Sequence, residues 1–215
     1  MSRLSESSQF PPGTDSNVAP DPGLQEAKRA LRKEVLAARG ALDSQSRQRL
    51  SGKITEQLLA LPEYRAAAVV AAYASFGSEF DTSPFLKAAL ASGKRLLLPR
   101  VDLSRRRMQF CAVSGLASDL VPGVWGIPEP ALHCLPVAAS GADFVLVPGV
   151  AVSVRGARLG YGGGFYDRLL AENGVVALRV LAAFSMQTVA QVPTGPWDLP
   201  VDVVVTETSV IRIAS

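Results

Sequence analysis

The alternation of strand-like and helix-like segments along this chain predicts an α/β fold. The expected form is a single-domain three-layer sandwich with a mostly parallel central sheet and helices on both faces. Three observations carry the expectation. Short runs rich in Val, Leu and Phe, at Val69–Tyr73, Phe144–Val147, Leu178–Phe184 and Val201–Thr206, have the composition of strands buried on both faces. Amphipathic helical stretches lie between or before them. A glycine-rich turn follows one apolar run, and ligands in open α/β sheets gather at the carboxyl ends of strands.

In chain order, the first 22 residues are rich in Ser, Pro, Gly and Asp and lack apolar periodicity, so residues 1–22 read as a disordered tail and residues 23–215 as the domain. From Leu24 to Arg39, Leu24, Ala27, Leu31, Val35 and Leu36 mark one face of a helix. Asp43 and Ser44 offer an N-cap to a second helix with Leu50, Ile54, Leu58 and Leu59 inward. Val69–Tyr73 is a strand. Ser83 with Pro84 starts a helix that Gly93 ends. Leu96–Pro99 and Met108–Val113 read as short strands, with Arg105-Arg106-Arg107 in a solvated hairpin turn between them. The apolar run from Phe144 to Val152 has the composition of a buried strand. Phe165, Tyr166, Leu169 and Leu170 fall at helical spacing, and Asn173-Gly174 is a helix stop.

Composition narrows the function. At 215 residues and 22.7 kDa, with 48% hydrophobic and 19% charged residues, the chain suits one domain with a full core. It shows neither a secretory leader nor an apolar run of membrane-spanning length, so the expectation is a cytoplasmic protein with no membrane partner. Cys111 and Cys134 have no ligand spacing and read as small buried hydrophobes. His133 is the one histidine, in a loop without an assigned role; a chain so poor in histidine argues against triad hydrolases and histidine-ligated metals. A net charge of +3 and a pI near 9.1 suit anionic small ligands and do not call for nucleic acid.

The most informative stretch is residues 158–168, Arg-Leu-Gly-Tyr-Gly-Gly-Gly-Phe-Tyr-Asp-Arg. Four glycines within five residues let backbone N–H groups converge on an anion at a helix start. Phe165 stands where the dinucleotide fingerprint needs its third glycine, and no Lys-Ser or Lys-Thr follows as in a P-loop. A flexible turn capping a helix is the plain alternative.

The order of residues in this stretch resembles the signature of the 5-formyltetrahydrofolate cyclo-ligase (5,10-methenyltetrahydrofolate synthetase) family. Five further stretches resemble the same family: Lys28-Arg29-Ala30-Leu31-Arg32, Tyr73 to Thr82, Trp125-Gly126-Ile127-Pro128-Glu129-Pro130, Val147 to Ala151, and the closing Met186-Gln187-Thr188 with Pro196 to Asp202. Together they span about residues 24 to 208. The resemblance implies ATP-dependent cyclisation of 5-formyltetrahydrofolate to 5,10-methenyltetrahydrofolate, releasing ADP and phosphate through a phosphorylated formyl intermediate. It implies ATP as co-substrate, magnesium as cofactor, a folate that carries one or more glutamates, and a monomer.

By the same resemblance, Lys28, Arg29, Ala30, Leu31, Arg32, Arg158, Leu159, Gly160, Tyr161, Gly162, Gly163, Gly164, Phe165 and Tyr166 meet ATP. Arg32, Ala74, Glu79, Tyr161, Gly162, Gly163, Gly164 and Phe165 meet the folate. Asp167 and Asp198 hold magnesium, with Asp202 a nearby alternative, and Arg32, Arg158 and Asp167 carry the chemistry. Lys28 and Arg32, four apart, share a helical face and suit phosphate, although a solvated face is the ordinary fate of such charges. Arg158 equally suits a pair with Asp167. Asp167 also reads as a helix-start residue. Trp125 is offered as a wall for the pterin ring. The chain departs from the family pattern at Gly163, where some members carry Lys, and at Trp197 before Asp198. The competing readings are a non-catalytic relative that binds nucleotide or folate, and a sugar-phosphate isomerase on a similar sheet.

Overall fold

The computed structural model describes residues 21–171 and 177–214; the Asn173-Gly174 helix stop and nearly all of the N-terminal tail lie outside them. The first helix, α1 (Pro22–Gly40), begins inside the stretch read as tail. Pro22 occupies its first turn, and the Asp21 carboxylate accepts the Gly23 N–H at 2.9 Å. α2 (Ser44–Ala60) is capped by Asp43, which accepts the Ser46 N–H at 2.8 Å. α3 (Pro62–Ala66) follows directly, and then β1 (Val69–Ala71). α4 (Ser83–Ala91) ends before Gly93, whose φ of +74° takes the chain into β2.

β2 (Arg95–Asp102) and β3 (Arg107–Val113) form the expected antiparallel hairpin, paired from Leu96↔Val113 to Asp102↔Arg107. A one-turn helix, α5 (Leu116–Asp119), leads to a small hairpin of β4 (Leu120–Pro122) and β5 (Pro128–Pro130), and β6 (Pro136–Val137) adds to β3. The second half holds β7 (Phe144–Val147), β8 (Ala151–Ser153), β9 (Arg158–Leu159), α6 (Phe165–Leu170), β10 (Leu178–Ala182), β11 (Thr188–Val189), β12 (Val203–Val205) and β13 (Val210–Arg212).

The main sheet has the order β13-β12-β10-β7-β1-β2-β3-β6. Its five central strands, β12 to β2, are parallel, and both flanks are antiparallel. The strand period of two divides the apolar side chains between two cores. Phe144 and Leu146 join Ile54, Leu58, Tyr64 and Phe85 under α2, α3 and α4. Val145 and Val147 join Leu169 and Leu170 of α6, with Ala139 and Ala142, on the opposite face.

The apolar run Phe144–Val152 holds the expected strand Phe144–Val147 and then a second, β8, in another sheet. A Cβ on Gly149 would lie 2.4 Å from Leu181 Cδ1, so the chain passes against β10 there and leaves the sheet. It enters a second sheet, β11-β8-β9, on which α1 packs through Leu31, Val35 and Leu36. Cys111 and Cys134 are buried free thiols, as expected. Among the described residues no helix is long and apolar enough to cross a membrane.

Candidate active site

β1 lies between β2 and β7, parallel to both, so the strand order runs outward from it in opposite directions, and such a switch point leaves a crevice at the strand ends. The loop from β1 to α4 and the segment after β7 open into it. The crevice is a cavity of about 860 Å³ roofed by α1, the glycine loop, the β4–β5 turn and the loop at Gly195–Asp198. It is large enough for more than one small ligand.

α1 supplies the cationic wall. Lys28, Arg32, Val35 and Arg39 form one stripe along it, and Lys28, Val35 and Arg39 are the buried residues of this helix. Lys28 Nζ pairs with Asp198, and Arg32 Nε donates to the Gly160 carbonyl at 2.7 Å. Burial draws the Arg32 guanidinium below its ordinary range, while Asp198 acts in the opposite direction. Lys28 and Arg32 line the cavity. Arg29 and Ala30 point outward, Arg29 paired with Glu26, and Leu31 packs on the second sheet; these three do not line it.

The glycine loop faces that wall. Gly162 and Gly164 have φ of +104° and +63°, a conformation that L side chains rarely adopt. Among the described residues no hydrogen bond engages the N–H groups of Gly162, Gly163 or Gly164. A Cβ at position 163 would meet the Phe165 ring at 2.8 Å, so the glycine there goes with the phenylalanine two residues on. Arg158 is buried at the base of the loop. It donates to Asp167 Oδ1 at 2.5 Å and to the Pro148 carbonyl at 3.2 Å.

Asp167 and Asp198 belong to adjoining pieces of backbone, because Leu199 N–H donates to Asp167 Oδ1 at 3.2 Å. Asp198 Oδ2 accepts the Gly195 N–H at 2.6 Å besides the Lys28 ammonium. Each carboxylate therefore uses one oxygen inward, and Asp167 Oδ2 and Asp198 Oδ1 take no hydrogen bond from the described residues. Two such hard oxygens fit magnesium, which keeps several waters. Asp202 is committed elsewhere, to a forked pair with Arg179 at 2.7 and 3.1 Å, and does not line the cavity.

The other end is aromatic and holds one buried acid. Glu79 Oε1 accepts from the Tyr161 hydroxyl at 2.8 Å and Oε2 from the Phe76 N–H at 3.0 Å. Burial pushes its carboxyl up, opposed by the Phe76 N–H, the Tyr161 hydroxyl and the Arg39 charge. Reciprocal bonds between Ser75 and Thr82, at 3.0 and 3.1 Å, close this loop at its base. Tyr73, Ala74, Phe76, Tyr161, Phe165 and Trp125 surround the cavity here. Trp125 stands edge-on to Phe165 at 6.2 Å with φ of +59°, a strained backbone for a bulky residue. Glu129 steadies that turn by accepting the Val101 and Val124 N–H groups, both at 3.1 Å. Tyr166 lines the cavity, and its hydroxyl is buried with no partner among the described residues. An unsatisfied buried hydroxyl costs about 1–3 kcal/mol.

Residue patterns give no role to Arg39, and Glu129 enters only as part of the Trp125–Pro130 stretch. The signal for Arg39 was its position eleven residues after Lys28, on the same stripe. Outside the cavity, Asp119, His133 and Cys134 bring three donor atoms within 4.8 Å of one another. The Asp119 carboxylate is already held by Ser114, Gly115, Ser118 and His133, which keep it well below the usual carboxylate range. The trio acts as a pin between the α5 turn and the loop after β5.

A sheet of this topology, with a cation- and glycine-lined cleft at its switch point, places the chain among the doubly wound α/β proteins that bind ligands at strand ends. Within that class it belongs to the 5-formyltetrahydrofolate cyclo-ligase family, a family of ligases, whose model matches residues 24–207. The 5-formyltetrahydrofolate cyclo-ligase of Escherichia coli (strain K12) is 33% identical over 175 residues, 80% of this chain and 96% of that protein. The Mus musculus protein of the same name is 27% identical over 86% of this chain and 96% of its own. The solution structure of Aquifex aeolicus 5,10-methenyltetrahydrofolate synthetase superposes with a TM-score of 0.77 at 38% identity, covering 87% of this chain and 93% of that one.

Proposed function

We propose that this chain catalyses the ATP-dependent cyclisation of 5-formyltetrahydrofolate to 5,10-methenyltetrahydrofolate, releasing ADP and phosphate. The carrying observation is a single cavity with two chemically different ends: cations, free glycine amides and two aspartates at one, aromatic rings and Glu79 at the other. The formyl oxygen is a weak nucleophile, so it must be aligned with the γ-phosphorus. Lys28, Arg32 and Arg158 neutralise phosphate charge and the loop amides fix its oxygens, which is what phosphoryl transfer requires of a protein. The formyl oxygen then carries the phosphoryl group and ADP departs. The second folate nitrogen attacks the formyl carbon and loses its proton, the carbon–oxygen bond breaks, and phosphate leaves with that oxygen. Tyr73, Ala74, Phe76 and Phe165 exclude water around the ring while Glu79 orients it. Magnesium, held by Asp167 and Asp198, would add positive charge at the phosphates. Arg29, Ala30 and Leu31 serve this site as parts of α1 rather than by contact.

The substrate is a folate with one or more glutamates, and the working unit is a cytoplasmic monomer of one domain, residues 23–215, without nucleic-acid or membrane partners. Light scattering on the purified chain tests the monomer. The activity is tested by near-ultraviolet absorbance of methenyltetrahydrofolate, formed from 5-formyltetrahydrofolate, ATP and magnesium. Asp167→Asn is expected to lower the rate at least about a hundredfold. Oxygen-18 placed in the formyl group should appear in the released phosphate. Unlabelled phosphate would overturn the phosphorylated intermediate.

A further inference from the structure

Arg39 is 3% exposed, yet it is absent from the cavity wall. It sits in the last turn of α1, where a cation suits the helix dipole, and it reaches away from solvent into the ends of two other segments. Its Nη2 donates to the Tyr161 hydroxyl oxygen at 2.8 Å, and its Nε donates to Ser78 Oγ at 3.0 Å. The guanidinium also lies 5.9 Å from the Tyr161 ring centroid. Tyr161 passes the interaction on, its hydroxyl donating to Glu79 Oε1 at 2.8 Å. One side chain thus ties α1, the loop that carries Glu79 and the glycine loop together behind the folate end.

A buried arginine with no ionised contact is expensive, and so is a buried carboxylate. Here the two charges share one hydroxyl. The tyrosine accepts from one and donates to the other, so its single proton has a fixed direction. Both Glu79 oxygens are gripped from behind, by Tyr161 and by the Phe76 N–H, leaving lone pairs for a ligand in the cavity that Glu79 lines.

We infer that Arg39 is a positioning residue for folate recognition: acting through Tyr161 and Ser78, it aims the Glu79 carboxylate into the cavity and supplies its opposite charge. The inference rests on the proposed function in taking folate as the ligand of that end. The titratable groups facing Glu79 are Arg39 from α1, Tyr161 from the glycine loop, Tyr73 from the end of β1 and Tyr166 from α6. Of these Arg39 is the cation.

The test begins without ligand. Carbon-13 carboxyl NMR, with the Glu79 signal assigned by Glu79→Gln, should show Glu79 titrating at higher pH in Arg39→Met than in the wild type. In the absorbance assay Arg39→Met should raise KM for 5-formyltetrahydrofolate at least about tenfold, with KM for ATP within about twofold. Arg39→Lys restores the charge without the two-point grip, so the titration should return towards the wild-type value while KM stays high. Tyr161→Phe breaks the same chain, and adding Arg39→Met to it should raise the folate KM little further. The inference is overturned if the Glu79 titration is unmoved in both Arg39 variants. It also fails if the two substitutions act additively, or if both substrates lose affinity in step with a falling melting temperature. A wild type that forms no methenyl product would sink the functional reading instead, and the unliganded titration would still decide the role of Arg39.

Discussion

α1 and α2 are neighbours in sequence, both are capped by an aspartate, and both show a helical period. They bury opposite chemistry. α2 buries Ile54 and Leu58 against the sheet, with Ser51 and Thr55 beside them. α1 buries Lys28, Val35 and Arg39, and only Val35 belongs to a hydrophobic cluster. The difference follows from what each helix covers. α2 lies over strands whose backbone groups are already paired, so its large buried side chains are apolar, while Ser51 accepts the Asp81 N–H at 2.9 Å. α1 lies across the strand ends and the glycine loop, where carbonyls, carboxylates and free amides remain, and cations meet partners. Periodicity tells which side of a helix turns inward; whether inward means core or cleft depends on what lies beneath it.

The largest expected effect tests the α2 side. Ile54→Ala should cost about 2–5 kcal/mol of stability, since its side chain is fully buried, and lower the thermal midpoint by roughly 10 °C. KM values of the folded fraction should be unchanged. On the α1 side the pattern inverts. Arg32→Met keeps the aliphatic stem and removes a partly desolvated charge. It should lower kcat/KM for ATP about a hundredfold, about 2.7 kcal/mol of transition-state stabilisation, with the thermal midpoint within a few degrees of the wild type. An Arg32→Met protein that unfolds early but turns over normally would abolish the distinction.

Much of this architecture is legible in the sequence. α2, α4, β7 and the β2–β3 hairpin follow from caps, periods and apolar runs, because each is a local pattern that its packing reinforces. The residues carried by the resemblance, from Glu79 through the glycine loop to Asp167 and Asp198, line one cavity. The short strands β4, β5, β6, β9 and β11 have no period of their own and exist because neighbours pair with them. The break at Pro148-Gly149 needed knowledge of Leu181 on another strand. The helical period turns Ala27 inward, yet it is exposed, whereas Arg39, which the apolar pattern passes over, is buried. An apolar criterion makes both errors, since it has no place for a buried cation. Consecutive residues of a helix diverge by about 100° each, which is why Arg29, Ala30 and Leu31 leave the cleft that Lys28 and Arg32 face.

A smaller effect separates caps from core. Asp43→Ala removes the side-chain acceptor at the start of α2 and should cost about 1 kcal/mol, read as a shift of the urea midpoint with unchanged slope. Kinetic constants should not move, because α2 does not reach the cavity.

The smallest effect sharpens the contrast most, since it should run opposite to a core deletion. Burial raises the Glu79 carboxyl above its ordinary value in the folded protein, so the native state binds that proton more tightly than the unfolded chain does. Stability from this group is complete below the unfolded pKa and is lost as pH rises through the folded one. Above the folded value the unliganded protein therefore carries an ionised Glu79 at a net penalty. The Arg39 charge and the two hydrogen bonds are already included in that net upward direction. Glu79→Gln keeps the shape and mimics the neutral acid. Its melting temperature should rise further above the wild type's as pH climbs through the folded value, with the gap closing as pH falls to the ordinary carboxylate range, while folate binding is lost. A variant less stable than wild type across that whole range would mean that the ionised Glu79 holds the loop in place, and the cleft would then be built on the same principle as the core.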